Sequence, residues 1–349
     1  MKKIKRVAAT ITAAALVMGM TACSQDPEWV YKTDDYTMTA GHYLAYLYNS
    51  TNEALSTSGV GNIDAVFDTD IEGVKGDEWI SNEARKTAKQ EMGARIEFSE
   101  QGLSLSDDDN AAIDSQLASE YTDYEDYMKD FGISKDSYRA YLEGKKINEL
   151  LRDHYYGENG TEKTTDDQIK QYIADHGASY KYVSIPKIDS STGDPYKGDQ
   201  LDSLKSTVEG YLNEINNDGK SIDDINKEYQ VADGTAEDQI TELTASFALD
   251  SDTTLDDQLK SSIFSAQAGG PAVMGENDDE FFIVQRFDAN TQEIFDANRD
   301  QAKQQLEDDT YNSKLEQSCN DKGMKQNDSM LNKYNPKDFA KRMEDVANS

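Results

Sequence analysis

Between Thr39 and His176 the apolar side chains recur only at helical spacing, and at Ala178 the period shortens to that of a strand. Thr39 can cap a helix whose apolar side is Tyr43, Leu44, Leu47 and Tyr48. A polar loop runs from about Ser56 to Gly76. From Asp77 the stripe is Trp79, Ile80, Ala84, Ala88, Met92 and Ile96, ending near Gly102. Ser106 caps the next helix, which carries Ile113, Leu117, Tyr121, Tyr124 and Met128 and stops at Gly132. Ser134 opens a helix to Gly157 striped by Tyr138, Tyr141, Leu142, Ile147, Leu150 and Leu151, and Thr164 or Thr165 opens a shorter one. Residues 38–176 therefore predict helical hairpins with no strand.

The second half reads differently. "SYKYVSIPKI" has the Tyr, Val and Ile content of a strand, and Pro186 marks its edge or end. Helices follow at Leu201–Asn217 and after Ser221, then a weak strand near Thr241–Leu249 and a helix at Leu255–Ala266. Gly269-Gly270-Pro271 breaks the chain before strands at Ala272–Met274 and Phe281–Phe287. The pattern turns helical again from Thr291 to about Lys322, and "NPKDFAKRMEDVANS" suits one more short amphipathic helix. The expected class is α+β: a mainly helical domain over 37–177, completed by C-terminal helices in 291–349 that pack on helices 77–157, with a small α+β domain inserted at 178–290.

Charge excludes one class of partner. The chain has 35 basic and 68 acidic residues, a net charge of -33. Removing the cations Lys2, Lys3, Lys5 and Arg6 with the first 22 residues, which hold no acid, takes this to -37. Nucleic-acid binding needs a basic surface, so no nucleic-acid partner is expected. An acidic exterior suits basic partners, or simply solubility. The opening "MKKIKRVAATITAAALVMGMTACS" joins a basic start to an apolar run too short to persist as a membrane span. Its end, Met20-Thr21-Ala22-Cys23, resembles the bacterial lipoprotein signal, with Met where leucine is usual. That resemblance implies a signal peptide over 1–22, a diacylglyceryl group on Cys23 with an acyl chain such as palmitate on its amine, a tether over 23–36 and a place on the outer face of the cell membrane. The other cysteine, Cys319, would then have no disulfide partner and is expected to be an inert thiol.

No GxSxG elbow, phosphate-binding glycine loop or calcium-loop spacing is present, and His42, His154 and His176 lack a zinc-like spacing, so no metal or cofactor is expected. The layout as a whole resembles the SurA/PrsA class of extracytoplasmic foldases. The residues that carry the resemblance are the Cys23 motif, "GISKDSYRAYLEGKKINELLRDHY", "TTDDQIKQYIADHGASYKYVSI" and "SSIFSAQAGGPAVMGENDDEFFIVQRF". The last is similar to the end of a parvulin-type prolyl isomerase domain. The resemblance implies an apolar pocket with a pair of histidines, yet the matching positions hold Tyr182 or Val183 and Phe282. A degenerate parvulin-like domain is thus expected, with no catalytic residue and no efficient isomerase activity. Tyr182, Phe247, Phe264, Val273, Phe281 and Phe282 are its candidate peptide-contacting residues, and the expected partners are unfolded secreted polypeptides and, through the lipid, the membrane. An active isomerase with an atypical pocket, and a surface binding or adhesion lipoprotein on a reused fold, remain as alternatives.

Overall fold

The computed structural model describes residues 28–347; the signal segment and Cys23 lie outside them. The class is α+β. Strand β1 (Trp29–Lys32) leads through β2 (Thr37–Thr39) into helix α1 (Ala40–Ser58), capped by the Thr39 hydroxyl as its sequence predicts. The stretch expected as a tether is part of the fold from Glu28 onward: Val30 and Tyr31 are fully buried, and β1 is the middle strand of a small sheet. Val30 and Tyr31 are consecutive apolar residues at a register shift in the pairing of β1 with β2, and the burial of both gives this stretch an anchor that a free tether would lack.

A short helix α2 (Ile63–Asp68) and the hairpin β3 (Asp70–Ile71) and β4 (Val74–Lys75) fill the polar loop before the long helix α3 (Gly76–Glu100). Ser106 and Asp109 form a capping box that starts α4 (Asp107–Tyr121). The single helix expected from Ser106 to Gly132 breaks at Thr122–Tyr124, and α5 (Glu125–Asp130) follows in a new direction. The break lets both Tyr121 and Met128 face the core, while Tyr124, expected on the apolar stripe, is 57% exposed. Tyr121 fixes the bend by donating its hydroxyl to the Ile133 carbonyl at 3.0 Å. Then come α6 (Lys135–Tyr156) and α7 (Asp166–His176), the latter opened by a Thr165–Gln168 capping box.

Strand β5 (Gly177–Pro186) follows α7 without a loop. Helices α8 (Asp199–Asp218) and α9 (Ile222–Ala232) precede β6 (Ser246–Leu249), α10 (Asp257–Ser265), β7 (Val273–Glu276) and β8 (Glu280–Phe287). The four strands form one antiparallel sheet in the order β6-β5-β8-β7. The strand expected from Thr241 begins only at Ser246, because the side chains of Asn226 and Gln230 hold Thr241 from α9. Alternate residues face opposite layers. Val183, Ile185, Phe281 and Ile283 pack under α8 and α9, whereas Tyr180, Phe282 and Val284 pack under α10. Asn216 of α8 pins the start of β7 by bonding both the N–H and the carbonyl of Ala272.

Helix α11 (Gln292–Asp321) returns to the first helices and packs along α3 and α7. The chain then adds β9 (Lys325–Gln326) to the free edge of β1 and closes with α12 (Asp328–Lys333) and α13 (Pro336–Ala347). Gly93 permits the closest of these approaches: a Cβ there would lie 2.4 Å from the Leu315 carbonyl oxygen. No helix among the described residues is long and apolar enough to cross a membrane.

Candidate functional site

The sheet face under α10 is where the sequence places its candidates. Register puts Ser184 opposite Phe282, Tyr182 opposite Val284, and Gly275 beside Phe282. Tyr182, Phe264, Val273 and Phe282 share one cluster, the first three half-buried at its margin. Phe281 is on the opposite face among α8 and α9, and Phe247 packs towards α7 and α11, so these two are not part of a common surface.

Phe282 itself is fully buried. Gly275 explains how tightly it is held: a Cβ there would stand 2.2 Å from the Phe282 ring and 2.4 Å from Ser262 Oγ of α10. Helix α10 therefore rests on the ring instead of leaving a pocket above it. Around it, Ser184 is hydrogen-bonded to Glu280, and Arg286 donates to the Gly177 carbonyl at 2.9 Å with its guanidinium over the Phe264 ring. No histidine faces this sheet. His176, at the end of α7, contacts Asp250 at 2.9 Å and stacks on Tyr172; His154 lies against Tyr155 on α6; His42 is inside the helical core. A proton-transfer pair or a nucleophile with its base is not assembled here.

The sequence also suits an apolar, Tyr- and Met-lined cleft for unfolded chains in the helical domain; the cleft found there carries tyrosines but amides and charged groups in place of methionine. Helices α1, α3, α6 and α11 surround a cleft of about 360 Å³, lined by Tyr46, Tyr141 and Tyr311 together with Asn49, Gln90, Asn148 and Asn312. Beneath it is a buried ionic network. Glu91, only 3% exposed, accepts the Tyr46 hydroxyl at 2.5 Å and Arg95 Nε at 2.5 Å. His42 Nε2 lies 2.8 Å from the same carboxylate, a charge contact outside hydrogen-bonding alignment. Arg95 continues to Glu143 and the Ala140 carbonyl, both at 2.7 Å, and covers the Tyr36 ring; the Tyr36 hydroxyl meets His42 Nδ1 at 3.1 Å. Burial opposes ionisation of Glu91, but His42 and Arg95 outweigh it and hold the carboxyl well below its ordinary range. Burial, with Glu120 and Glu91 nearby, pushes the Tyr141 hydroxyl up to about 12, so it stays protonated. Gly144 makes the room: a Cβ there would fall 2.2 Å from Glu91 Cδ.

Apart from His42 Nε2 these groups are hydrogen-bonded to one another, so the network stiffens the cleft floor. Among the described residues no group of three or more His, Cys, Asp or Glu side chains is placed to hold a metal ion. Cys319 is buried against α3, its thiol pushed up to about 11 by burial, and offers no reactive thiolate.

No family model matches the chain. No curated protein matches it either. Among solved structures it is similar to the foldase protein PrsA from Streptococcus pneumoniae, at 14% identity over 75% of this chain and 96% of that one, with a TM-score of 0.27. It is also similar to PrsA from Bacillus subtilis, at 13% identity over 85% and 92%, with a TM-score of 0.21. At TM-scores this low the two likenesses carry no argument about function.

Proposed function

We propose that this protein is a chaperone-like holder of unfolded polypeptide segments, lipid-anchored through Cys23 on the outer face of the cell membrane, without efficient prolyl isomerase activity. The observation that carries the reading is the interhelical cleft. Its volume is in the range of real binding sites, roughly 300–1,000 Å³, and its tyrosines and side-chain amides suit extended peptide. Tyrosine offers apolar ring surface with a polar tip, and amides can bond main-chain groups of any sequence. The inserted α+β unit of 178–290 would then act as a spacer or second contact surface through Tyr182, Phe264 and Val273. Amide rotation meets a barrier of roughly 18–20 kcal/mol, and a face sealed by Phe282 has no group directed at a bound prolyl bond.

The purified protein should suppress aggregation of a chemically denatured client at near-stoichiometric ratio, and Gln90→Ala with Asn312→Ala should weaken that effect. Unabated aggregation with the wild type would sink the reading. A proline-peptide assay should run at the uncatalysed rate. Cells fed labelled palmitate should label the wild type but not Cys23→Ala.

A further inference from the structure

We infer that the cleft selects carboxylate-bearing segments of the polypeptide. This rests on the chaperone reading above and specifies what the cleft prefers. In the chain as a whole acids outnumber bases 68 to 35. Among the residues lining the cleft the balance turns to three cations, Lys86 of α3 and Lys145 and Arg152 of α6, against two acids, Glu53 of α1 and Glu91 of α3. Glu91 is matched by Arg95 beneath the floor.

The cations differ in how occupied they are. Lys86 has Glu83 at 3.2 Å and Arg152 has Asp308 at 2.5 Å. Lys145 forms no ion pair among the described residues and extends over the Tyr141 ring, its Nζ 5.5 Å from the centroid. Lys145 is thus the exposed cation of the cleft lining that has no carboxylate partner among the described residues.

The amides point the same way. Asn148 uses its oxygen to accept the Tyr311 hydroxyl at 2.7 Å, and Asn312 uses its oxygen to accept Gln90 Nε2 at 2.9 Å. Both therefore keep their NH₂ groups to donate. Gln90, and Asn49 whose NH₂ is given to the Ala45 carbonyl, keep oxygens that can accept peptide N–H groups. Cation and amide donors for an oxyanion, with acceptors beside them, match a carboxylate carried on a peptide.

The arrangement also has a kinetic signature. The negative whole-molecule field repels acidic segments at a distance, while the cleft attracts them at contact. Screening acts on both. Raising salt should speed association with an acidic segment and also speed its release, whereas a uniformly attractive surface would slow association.

The test uses the full chain and fluorescein-labelled peptides of one sequence, with two central residues either Glu or Gln and the end either a carboxylate or an amide. Fluorescence anisotropy should show the Glu peptides binding about tenfold tighter than the Gln peptides, the scale of one charge-assisted hydrogen bond. Preference for the carboxylate end alone would assign the source to chain termini instead of side chains. Lys145→Glu should abolish the preference and Lys145→Gln should reduce it, while the charge-matched control Lys227→Glu on α9 should keep it. Equal binding of all peptides, or a preference that survives Lys145→Glu, overturns the inference but leaves the chaperone reading standing. No binding of any peptide, with no suppression of client aggregation, removes both.

Discussion

Glu91 shows how one ionised carboxylate is kept inside a helical core. Arg95, one turn on, supplies the compensating charge, His42 a ring nitrogen 2.8 Å away, Tyr46 a hydroxyl, and Gly144 the space. Removing one partner from a buried pair leaves the other charge uncompensated. Glu91→Gln should therefore cost about 3–5 kcal/mol in urea unfolding at neutral pH. The sign with pH follows. Glu91 titrates lower folded than its ordinary 4.5, so its stabilisation is present above that value and is lost as pH falls towards the lowered native one. Glu91→Gln should flatten this part of the acid-unfolding profile, measured as midpoint against pH. The charged pair was legible in principle. Glu91 and Arg95 continue the Ala84 and Ala88 face of α3 at spacings of three and four, and glycines sit mid-helix at 93 and 144. What the sequence could not supply is the third dimension: His42 and Tyr46 come from another helix.

Phe282 belongs to the same scale. Its identity as an apolar residue was evident in the sequence; its burial under α10 was not, since that depends on Gly275 directly beside it. Phe282→Ala should cost about 3–5 kcal/mol of stability, read as a shifted denaturation midpoint. The proline-peptide rate should not change; a fall would restore the isomerase alternative.

Among elements, α11 does the most to hold the molecule together. It lies on α3 with Gly93 beneath the Leu315 backbone, and on α7 through Tyr172 donating to Asp309 and Thr164 to Glu307. Gly93→Ala forces α11 outward, and overpacking of this kind costs about 1–3 kcal/mol. The expected result is a lower urea midpoint with an unchanged slope. Most helices could be placed from their stripes and caps, because a cap and a 3.6-residue period are local signals. The break after Tyr121 and the late start of β6 escaped, because each is set by a distant bond: the Ile133 carbonyl holds one and the α9 side chains the other. The pairing of β1 with β9 had no local signal at all, since its partners come from opposite ends of the described chain.

At the scale of the whole molecule the dominant quantity is charge. A net charge of -33 makes the compact state repel itself. Added sodium chloride should raise the thermal midpoint steadily as the Debye length shrinks from about 10 Å at 0.1 M. A melting series in salt checks this; a flat or falling midpoint would mean that local ion pairs outweigh the global field. The α+β class could be read from the change of period at Ala178. A cleft among the helices could be expected from their tyrosines, but its place and its amide-rich lining could not, because they exist only where four helices, α1, α3, α6 and α11, meet.

The edge pairing of β9 with β1 also has a temporal meaning. A chain synthesised from its N-terminus delivers Trp29–Lys32 early and Lys325–Gln326 after every other strand. The sheet β5–β8, built from one contiguous stretch, can close as soon as that stretch emerges. The layer that surrounds the cleft has to wait for α11, and the β2-β1-β9 sheet for the strand after it. During synthesis, the protein would present a finished sheet beside an unfinished helical half, so the peptide-sized opening among its helices would be the last part to take shape.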